Sequence, residues 1–220
     1  MRTLLTLARL DGLAQVQGGM FTTQQGAAKG VDTESIQALV SKNLARRVLR
    51  NVYELVEQTG FSHREAYALW LSICPNSSAG SRQNNAILSH STALNWMDPL
   101  MFGGAEITVS VPPGTSFDLS RVRMIPVPLT SKDWCILNGV PTTTLARTIV
   151  DVLEDDEEDF RSLGRRLHGL AEQQLCDLNI LAVELDGYAR ANDYRSGNAL
   201  LKLMLEASIP DSEHVAGGLR

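Results

Sequence analysis

Start and stop signals in the first 55 residues restrict that part of the chain to short, closely spaced elements. The stretch Thr22-Thr23-Gln24-Gln25 is a capping box, in which the Thr22 hydroxyl accepts a hydrogen bond from the Gln25 amide and the Gln25 side chain returns to the Thr22 amide. Gly30 follows at the left-handed position favoured just past a helix C-terminus, and Asp32 can cap the next helix. One helix must therefore end here and another begin within a few residues.

The apolar spacing between these signals predicts the type of each element. Ile36, Leu39 and Val40 form one apolar stripe of a helix, and Asn51 tolerates the positive φ of a tight strand connection. The sequence predicts three helices and then two strands, over residues 3–16, 22–29, 32–42, 44–48 and 52–55. Three helices followed by a two-stranded ribbon is the element order of a winged helix-turn-helix, which is a DNA-binding fold.

The rest of the sequence predicts a second domain that mixes strands and helices. Asn138-Gly139 is a strong hairpin turn at the end of the last predicted strand. We predict strands over residues 106–111, 122–127 and 134–137, and helices over 62–73, 86–96, 142–153, 157–174, 178–191 and 197–207. The predicted fold class is α+β: a winged helix-turn-helix over residues 1–58, then a mixed α/β domain over 59–220 with a small sheet and a helical C-terminal half.

Charge separates the two ends of the chain. Residues 1–58 hold seven Lys/Arg and five Asp/Glu, whereas residues 151–220 hold seven and fifteen, and the net charge of the whole chain is −5. This balance argues against a general nucleic-acid coat and predicts different partners for the basic head and the acidic tail. The three cysteines lack paired spacing and no apolar run could cross a bilayer, so we expect a cytoplasmic protein without metal or cofactor.

The third predicted helix offers a polar outward face. Because Ile36 and Leu39 must face the core, the opposite arc, which includes Gln37 and Ser41, faces outward and suits a major groove about 12 Å wide. Gln37 can bind adenine through two hydrogen bonds, helix-capping groups can bind phosphate, and wing arginines can bind phosphate or enter the minor groove. The predicted DNA-binding residues are Thr22, Thr23, Gln37, Ser41, Lys42, Arg46, Arg47 and Arg50. A solvated helix face beside a surface arginine cluster is the alternative.

Several stretches resemble the AbiE-type antitoxins, the DNA-binding partners of type IV toxin–antitoxin pairs that are linked to abortive phage infection. At the N-terminus these are Phe21-Thr22-Thr23-Gln24-Gln25, Gly30-Val31-Asp32, Leu39-Val40 and Arg46-Arg47-Val48-Leu49-Arg50-Asn51-Val52-Tyr53. Later in the chain they are residues 87–94, ILSHSTAL, and residues 139–151, GVPTTTLARTIVD. The family usually has glycine where Asn43 and Asn51 stand here, but asparagine also tolerates a left-handed turn.

This resemblance implies a function. It implies an antitoxin that represses its own promoter by binding inverted repeats in double-stranded DNA, and that counters a nucleotidyltransferase-like toxin. It also implies that residues 59–220 contribute to the antitoxin activity. The alternatives are a winged-helix transcriptional regulator whose second domain senses a ligand or partner, and an adaptor that uses the winged helix for protein contacts.

Residues with catalytic potential are expected to be structural. Ser89 and His90 are adjacent on a predicted helix, where neighbouring side chains diverge, so a hydrolase triad is not expected. Arg147 and Asp151 are spaced as a helical ion pair. The five consecutive carboxylates of residues 155–159 suit a helix N-terminus and water better than a metal. We therefore predict no enzymatic activity.

Overall fold

The computed structural model describes residues 2–56, 63–76, 86–98, 106–115 and 119–209, which form a mixed α/β structure of ten helices and two small sheets. The helices are α1 (Arg2–Gln15), α2 (Thr23–Ala28), α3 (Thr33–Ser41), α4 (Arg64–Ile73), α5 (His90–Met97), α6 (Leu145–Glu154), α7 (Phe160–Glu172), α8 (Leu178–Glu184), α9 (Asp186–Ala191) and α10 (Gly197–Ser208). The strands are β1 (Met20–Thr22), β2 (Ala45–Leu49), β3 (Val52–Leu55), β4 (Ile87–Leu88), β5 (Ile107–Val111), β6 (Val122–Pro126), β7 (Trp134–Leu137) and β8 (Val140–Thr143).

The chain divides into two compact units, one that ends at Thr144 and one that begins at Leu145. The predicted boundary between residues 58 and 59 lies in the segment 57–62, outside the described residues. Within the first unit, β1, β3 and β2 form an antiparallel sheet in that order. Alternate residues of β3 serve its two faces: Tyr53 and Leu55 pack with α1 and α3, whereas Val52 joins the core that contains α4.

The predicted caps and turns of this region are present in the structure. The capping box is present, since the Thr22 hydroxyl accepts from the Gln25 amide at 3.1 Å and the Gln25 side-chain oxygen accepts from the Thr22 amide at 2.8 Å. Gly30 has φ 72° past the end of α2, and Asn51 has φ 63° between β2 and β3. Asn43 is also left-handed, at φ 55°. Asparagine thus takes the turn geometry at both positions where the resemblance expects glycine.

The second sheet of this unit has the order β6-β5-β4-β8-β7. Every residue of β5 is buried, and the predicted turn at Asn138 and Gly139, with φ 50° and 81°, joins β7 to β8. Strand β8 was not predicted, and the helix predicted over residues 142–153 is wrong at its start, because Thr142 and Thr143 pair with β7 and the helix begins at Leu145. The predicted helix over residues 86–96 is wrong at its start, because Ile87 and Leu88 form strand β4 and the helix begins only at His90. β4 pairs antiparallel with β5 and parallel with β8, and these long-range partners outweigh local helix propensity.

Aromatic side chains fill the core between α4, α5 and this sheet. The rings of Tyr67 and Trp70 are stacked at 5.8 Å, and Trp70 is fully buried. Both buried indoles are satisfied: Trp70 Nε1 donates to the Ala86 carbonyl at 3.2 Å, and Trp96 Nε1 donates to the Leu137 carbonyl at 3.0 Å. These bonds remove the cost of burying the polar end of each ring.

The second unit is helical, as predicted for the C-terminal half. Asp159 caps α7, and α10 packs closely against α7, where Gly164 leaves no room for a side chain. The predicted helix over residues 178–191 is two helices, α8 and α9, which meet at Leu185.

The ion pair expected in α6 is confirmed, with Arg147 Nε 2.7 Å from Asp151 Oδ1. Of the described helices, none is long and apolar enough to cross a membrane.

Candidate nucleic-acid interface

Helix α3 presents the polar face that the sequence predicts. Asp32 caps the helix by accepting from the Ser35 amide at 2.7 Å, and hydrogen bonding to Ser35 lowers the pKa of Asp32. Ile36 and Leu39 are fully buried, so the rotation of the helix about its axis is fixed by the core. The exposed residues of the opposite arc are Thr33, Glu34, Gln37, Ala38 and Ser41.

Gln37 is exposed, and its amide is hydrogen-bonded to a buried tyrosine. Its Nε2 donates to the Tyr53 hydroxyl at 3.1 Å, and Tyr53 itself is 5% exposed. The Tyr53 ring is stacked on Phe21, with centroids 5.8 Å apart and planes at 23°. The buried Tyr53 side chain therefore holds the amide of Gln37, the residue that the sequence predicts to contact a base.

Thr22 does not fit the phosphate-binding role that the sequence suggests. Its side chain is fully buried, and its hydroxyl donates to the Pro75 carbonyl at 2.5 Å while accepting from the Gln25 amide. The hydroxyl therefore holds α2 and the segment after α4 in place instead of meeting an external ligand. Thr23, the first residue of α2, stays partly exposed.

Lys42 and Ser41 are exposed at the C-terminal end of α3 and make local contacts. Lys42 Nζ donates to the Thr3 hydroxyl of α1 at 2.7 Å, and the Ser41 hydroxyl donates to the Ala38 carbonyl at 3.1 Å. Both bonds are at the surface, where exchange for a ligand costs little. These two residues remain available to a partner that approaches the helix.

Strands β2 and β3 with their connection occupy the place of the predicted wing, and we call them the wing. They carry three arginines in different surroundings. Arg46 Nε donates to Glu54 Oε2 at 2.5 Å. Arg47 Nε donates to the Leu49 carbonyl at 3.3 Å, beside an irregularity in the β2–β3 register, and Arg50 lies exposed at the tip. Within the described part of the chain, Arg47 and Arg50 thus form no ion pair with a carboxylate. Of the three arginines predicted to bind DNA, Arg46 alone is paired with a carboxylate of these residues.

Glu54 is the buried centre of a cluster that the sequence analysis missed. Its side chain is 1% exposed, and it also accepts from Arg64 Nε at 2.8 Å and from Arg64 Nη2 at 2.7 Å. Burial raises the pKa of Glu54, but the hydrogen bonds and charges of Arg64 and Arg46 outweigh that effect, so the net pKa is lowered. A single carboxylate between the apolar residues Val52 and Leu55 is the signal that could have revealed it.

Ser89 and His90 do meet, contrary to the expectation that they diverge. His90 Nδ1 lies 2.9 Å from the Ser89 hydroxyl, and His90 has a positive φ of 56° at the start of α5. Both side chains are buried, Ser89 completely. Among the described residues, no group of three or more His, Cys, Asp or Glu could hold a metal.

Comparison with known proteins finds a distant structural neighbour. No family model and no curated protein matches the chain. Among solved structures, the chain is similar to the RV2827C protein from Mycobacterium tuberculosis, with a TM-score of 0.48 and 16% identity over 93% of this chain and 82% of that chain. The assignment of a function therefore depends on the residues described above.

Proposed function

We propose that residues 2–56 are a winged helix-turn-helix that binds double-stranded DNA, with α3 in the major groove and the wing beside it. The proposal is supported by the element order α1-β1-α2-α3-β2-β3 and the antiparallel sheet order β1-β3-β2. The observation that carries it is the exposed polar face of α3 next to Arg47 and Arg50, which no carboxylate of the described residues neutralises. A face of that width, with donors and acceptors and no bulky apolar group, fits a major groove.

The contacts divide into base reading and phosphate binding. Gln37 and Ser41 are the candidates for base edges, since both point away from the core of α3. Thr23, Lys42, Arg47 and Arg50 are the candidates for phosphates. Arg46 contributes less, because its Nε is committed to Glu54.

We further propose an antitoxin that represses its own promoter and counters a nucleotidyltransferase-like toxin. This part rests on the sequence resemblance and on charge. Residues 1–144 hold twelve Lys/Arg and ten Asp/Glu, whereas residues 145–220 hold eight and fifteen. An acidic second unit would repel DNA, so its partner must be of another kind, and a basic surface of the toxin would complement it.

The DNA-binding proposal is tested by fluorescence anisotropy of the full chain on its own upstream DNA, against scrambled duplexes at several salt concentrations. Arg47→Ala with Arg50→Ala should weaken binding to all sequences and reduce the log–log salt slope by about 0.9 for each phosphate that the variant no longer neutralises. The matched control is Arg161→Ala with Arg165→Ala, two exposed arginines of α7. A salt slope equal to that of the control would contradict the wing contact, and equal affinity for scrambled DNA would contradict specific binding.

The antitoxin proposal is tested by growth rescue in cells that express a nucleotidyltransferase-like protein encoded beside this gene. Charge reversal has to avoid Glu158, which pairs with Arg166 at 2.9 Å, and Asp159, which caps α7. Glu154→Lys with Asp155→Lys changes two exposed carboxylates instead. Loss of rescue with DNA binding intact would support an acidic contact, whereas failure of the unmodified chain to rescue growth would contradict the antitoxin role.

A further inference from the structure

The contact between Gln37 and Tyr53 has a consequence for base selectivity. A glutamine amide offers two N–H donors and one carbonyl acceptor. Gln37 Nε2 donates one of its hydrogens to the Tyr53 hydroxyl at 3.1 Å. An outside ligand then finds one donor and one acceptor on this amide, side by side.

Tyr53 is held firmly enough to impose this restriction. It lies in β3, where its direct neighbours are Phe21 of β1 and Arg47 of β2. Its ring is stacked on Phe21 and 5% exposed, so it cannot follow a movement of the exposed Gln37 side chain. The hydroxyl is a fixed acceptor at the base of α3.

The remaining donor–acceptor pair fits a single base in the major groove. Adenine presents an acceptor, N7, beside a donor, the N6 amino group. Guanine presents two acceptors, N7 and O6, and would require both amide hydrogens, of which one is already used. Thymine presents one acceptor and a methyl group, and cytosine presents one donor.

We propose that Tyr53 is a positioning residue that makes Gln37 selective for adenine by occupying one of its two amide hydrogens. This inference rests on the proposed DNA binding. Tyr53 touches no base; it acts through Gln37. A purely structural role for the bond would leave base preference unchanged when the hydroxyl is removed, and this difference separates the two roles.

The experiment uses the full chain and double-stranded oligonucleotides. Selection from a randomised duplex library defines the preferred site, and the position read by Gln37 is the one at which Gln37→Ala loses its preference. Duplexes that carry A·T or G·C at that position are then compared at constant salt. For the unmodified chain we expect about 5- to 150-fold tighter binding of the adenine duplex, the range of one good bidentate pair.

Tyr53→Phe keeps the ring and its stacking on Phe21 but frees the second amide hydrogen of Gln37. We expect this variant to bind the guanine duplex more tightly, so that the adenine preference falls to less than about a third of the original ratio. Tyr194→Phe, a tyrosine of the second unit whose ring contacts Phe160, is the matched control and should leave the ratio unchanged. Thermal unfolding of both variants shows whether either change disturbs the fold.

Gln37→Glu gives an independent test, because a carboxylate accepts the hydrogen of the Tyr53 hydroxyl and offers only acceptors outward. The preference should then move from adenine to the cytosine amino group. An unchanged adenine preference in Tyr53→Phe would overturn the inference, and so would a Gln37→Ala variant that keeps every base preference. Neither result would contradict the proposed DNA binding. A wild-type chain that selects no site at all would instead contradict the proposed function.

Discussion

Replacement of Arg64 by methionine should destabilise the first unit strongly. Glu54 is 1% exposed and accepts three charged hydrogen bonds, two of which come from Arg64. Methionine keeps the apolar stem but leaves a buried carboxylate with a single partner. Charged hydrogen bonds contribute about 1.5–3 kcal/mol each, and breaking a buried ion pair costs about 3–5 kcal/mol, so we expect a loss of about 3–4 kcal/mol. Arg46→Met removes one bond from a side chain that is 51% exposed, and it should cost only about 1–2 kcal/mol.

Urea unfolding followed by tryptophan fluorescence measures this difference. All three tryptophans, Trp70, Trp96 and Trp134, lie in the first unit, so the signal reports on that unit. The control is Arg2→Met, whose partner Asp32 is 57% exposed, and we expect a change below about 0.5 kcal/mol. Equal losses for Arg46→Met and Arg64→Met, or an Arg64→Met loss no larger than the control, would refute the reasoning.

The same cluster predicts a pH dependence with a definite sign. The folded pKa of Glu54 lies below its ordinary value of 4.5, because the two arginines outweigh burial. A carboxyl group with a lowered pKa stabilises the fold above its unfolded pKa, and this contribution disappears as pH falls through the folded pKa. The stability difference between wild type and Glu54→Gln, which removes this titration, should therefore be constant near neutral pH and shrink below about pH 4.5.

Two further predictions concern backbone and close packing. A Cβ on Gly164 would lie 1.9 Å from the Met204 carbonyl oxygen, so Gly164→Ala should destabilise the second unit by about 3 kcal/mol or more. Gly187 of α9 has open space around it, so Gly187→Ala should stabilise the same unit by about 0.5–1 kcal/mol. Thermal melts followed by circular dichroism measure both changes. Because Asn51 has φ 63°, Asn51→Ala should cost about 1 kcal/mol in urea unfolding while Asn51→Gly costs nothing measurable; equal effects of the two substitutions would contradict the turn argument.

Elements with local signals could be predicted from the sequence. The box at Thr22 and Gln25, the cap at Asp32 and the turn at Asn138-Gly139 each depend on residues within a few positions of one another. Steric preference and capping hydrogen bonds act at that range. The helix boundaries in the first 55 residues were therefore predictable to within one or two residues.

Elements decided by distant partners were not predictable in this way. The apolar run at Ile87-Leu88 fits a helix or a buried strand equally well, and only its pairing with β5 and β8 makes it a strand. Gly187 follows the break at Leu185 by two residues, but it lies inside α9 and does not itself mark the boundary between the two helices. In both cases tertiary packing overrides a local pattern.

The candidate site shows the same division. The outward face of α3 follows from helix periodicity, and its exposure confirms that part of the prediction. The partners of that face do not follow, since the bond between Gln37 and Tyr53 spans 16 positions and the bond between Arg64 and Glu54 spans 10. The alternating faces of β3 bring these residues into contact, and a sequence pattern reveals the alternation but not the neighbours.

The two-residue strand β4 determines how the second sheet can come apart. It joins the β5–β6 pair to the β7–β8 hairpin through three residue pairs, in which Leu88 faces both Val109 and Thr142. Leu88 and Thr142 lie far apart along the chain, so their contact closes a long loop, whereas the hairpin closes locally. We expect the hairpin to form early during folding and the join at β4 to form late, and we expect the β4 amides to exchange with deuterium before those of β5. The centre of this sheet, rather than its edges, would then be the first place where it opens.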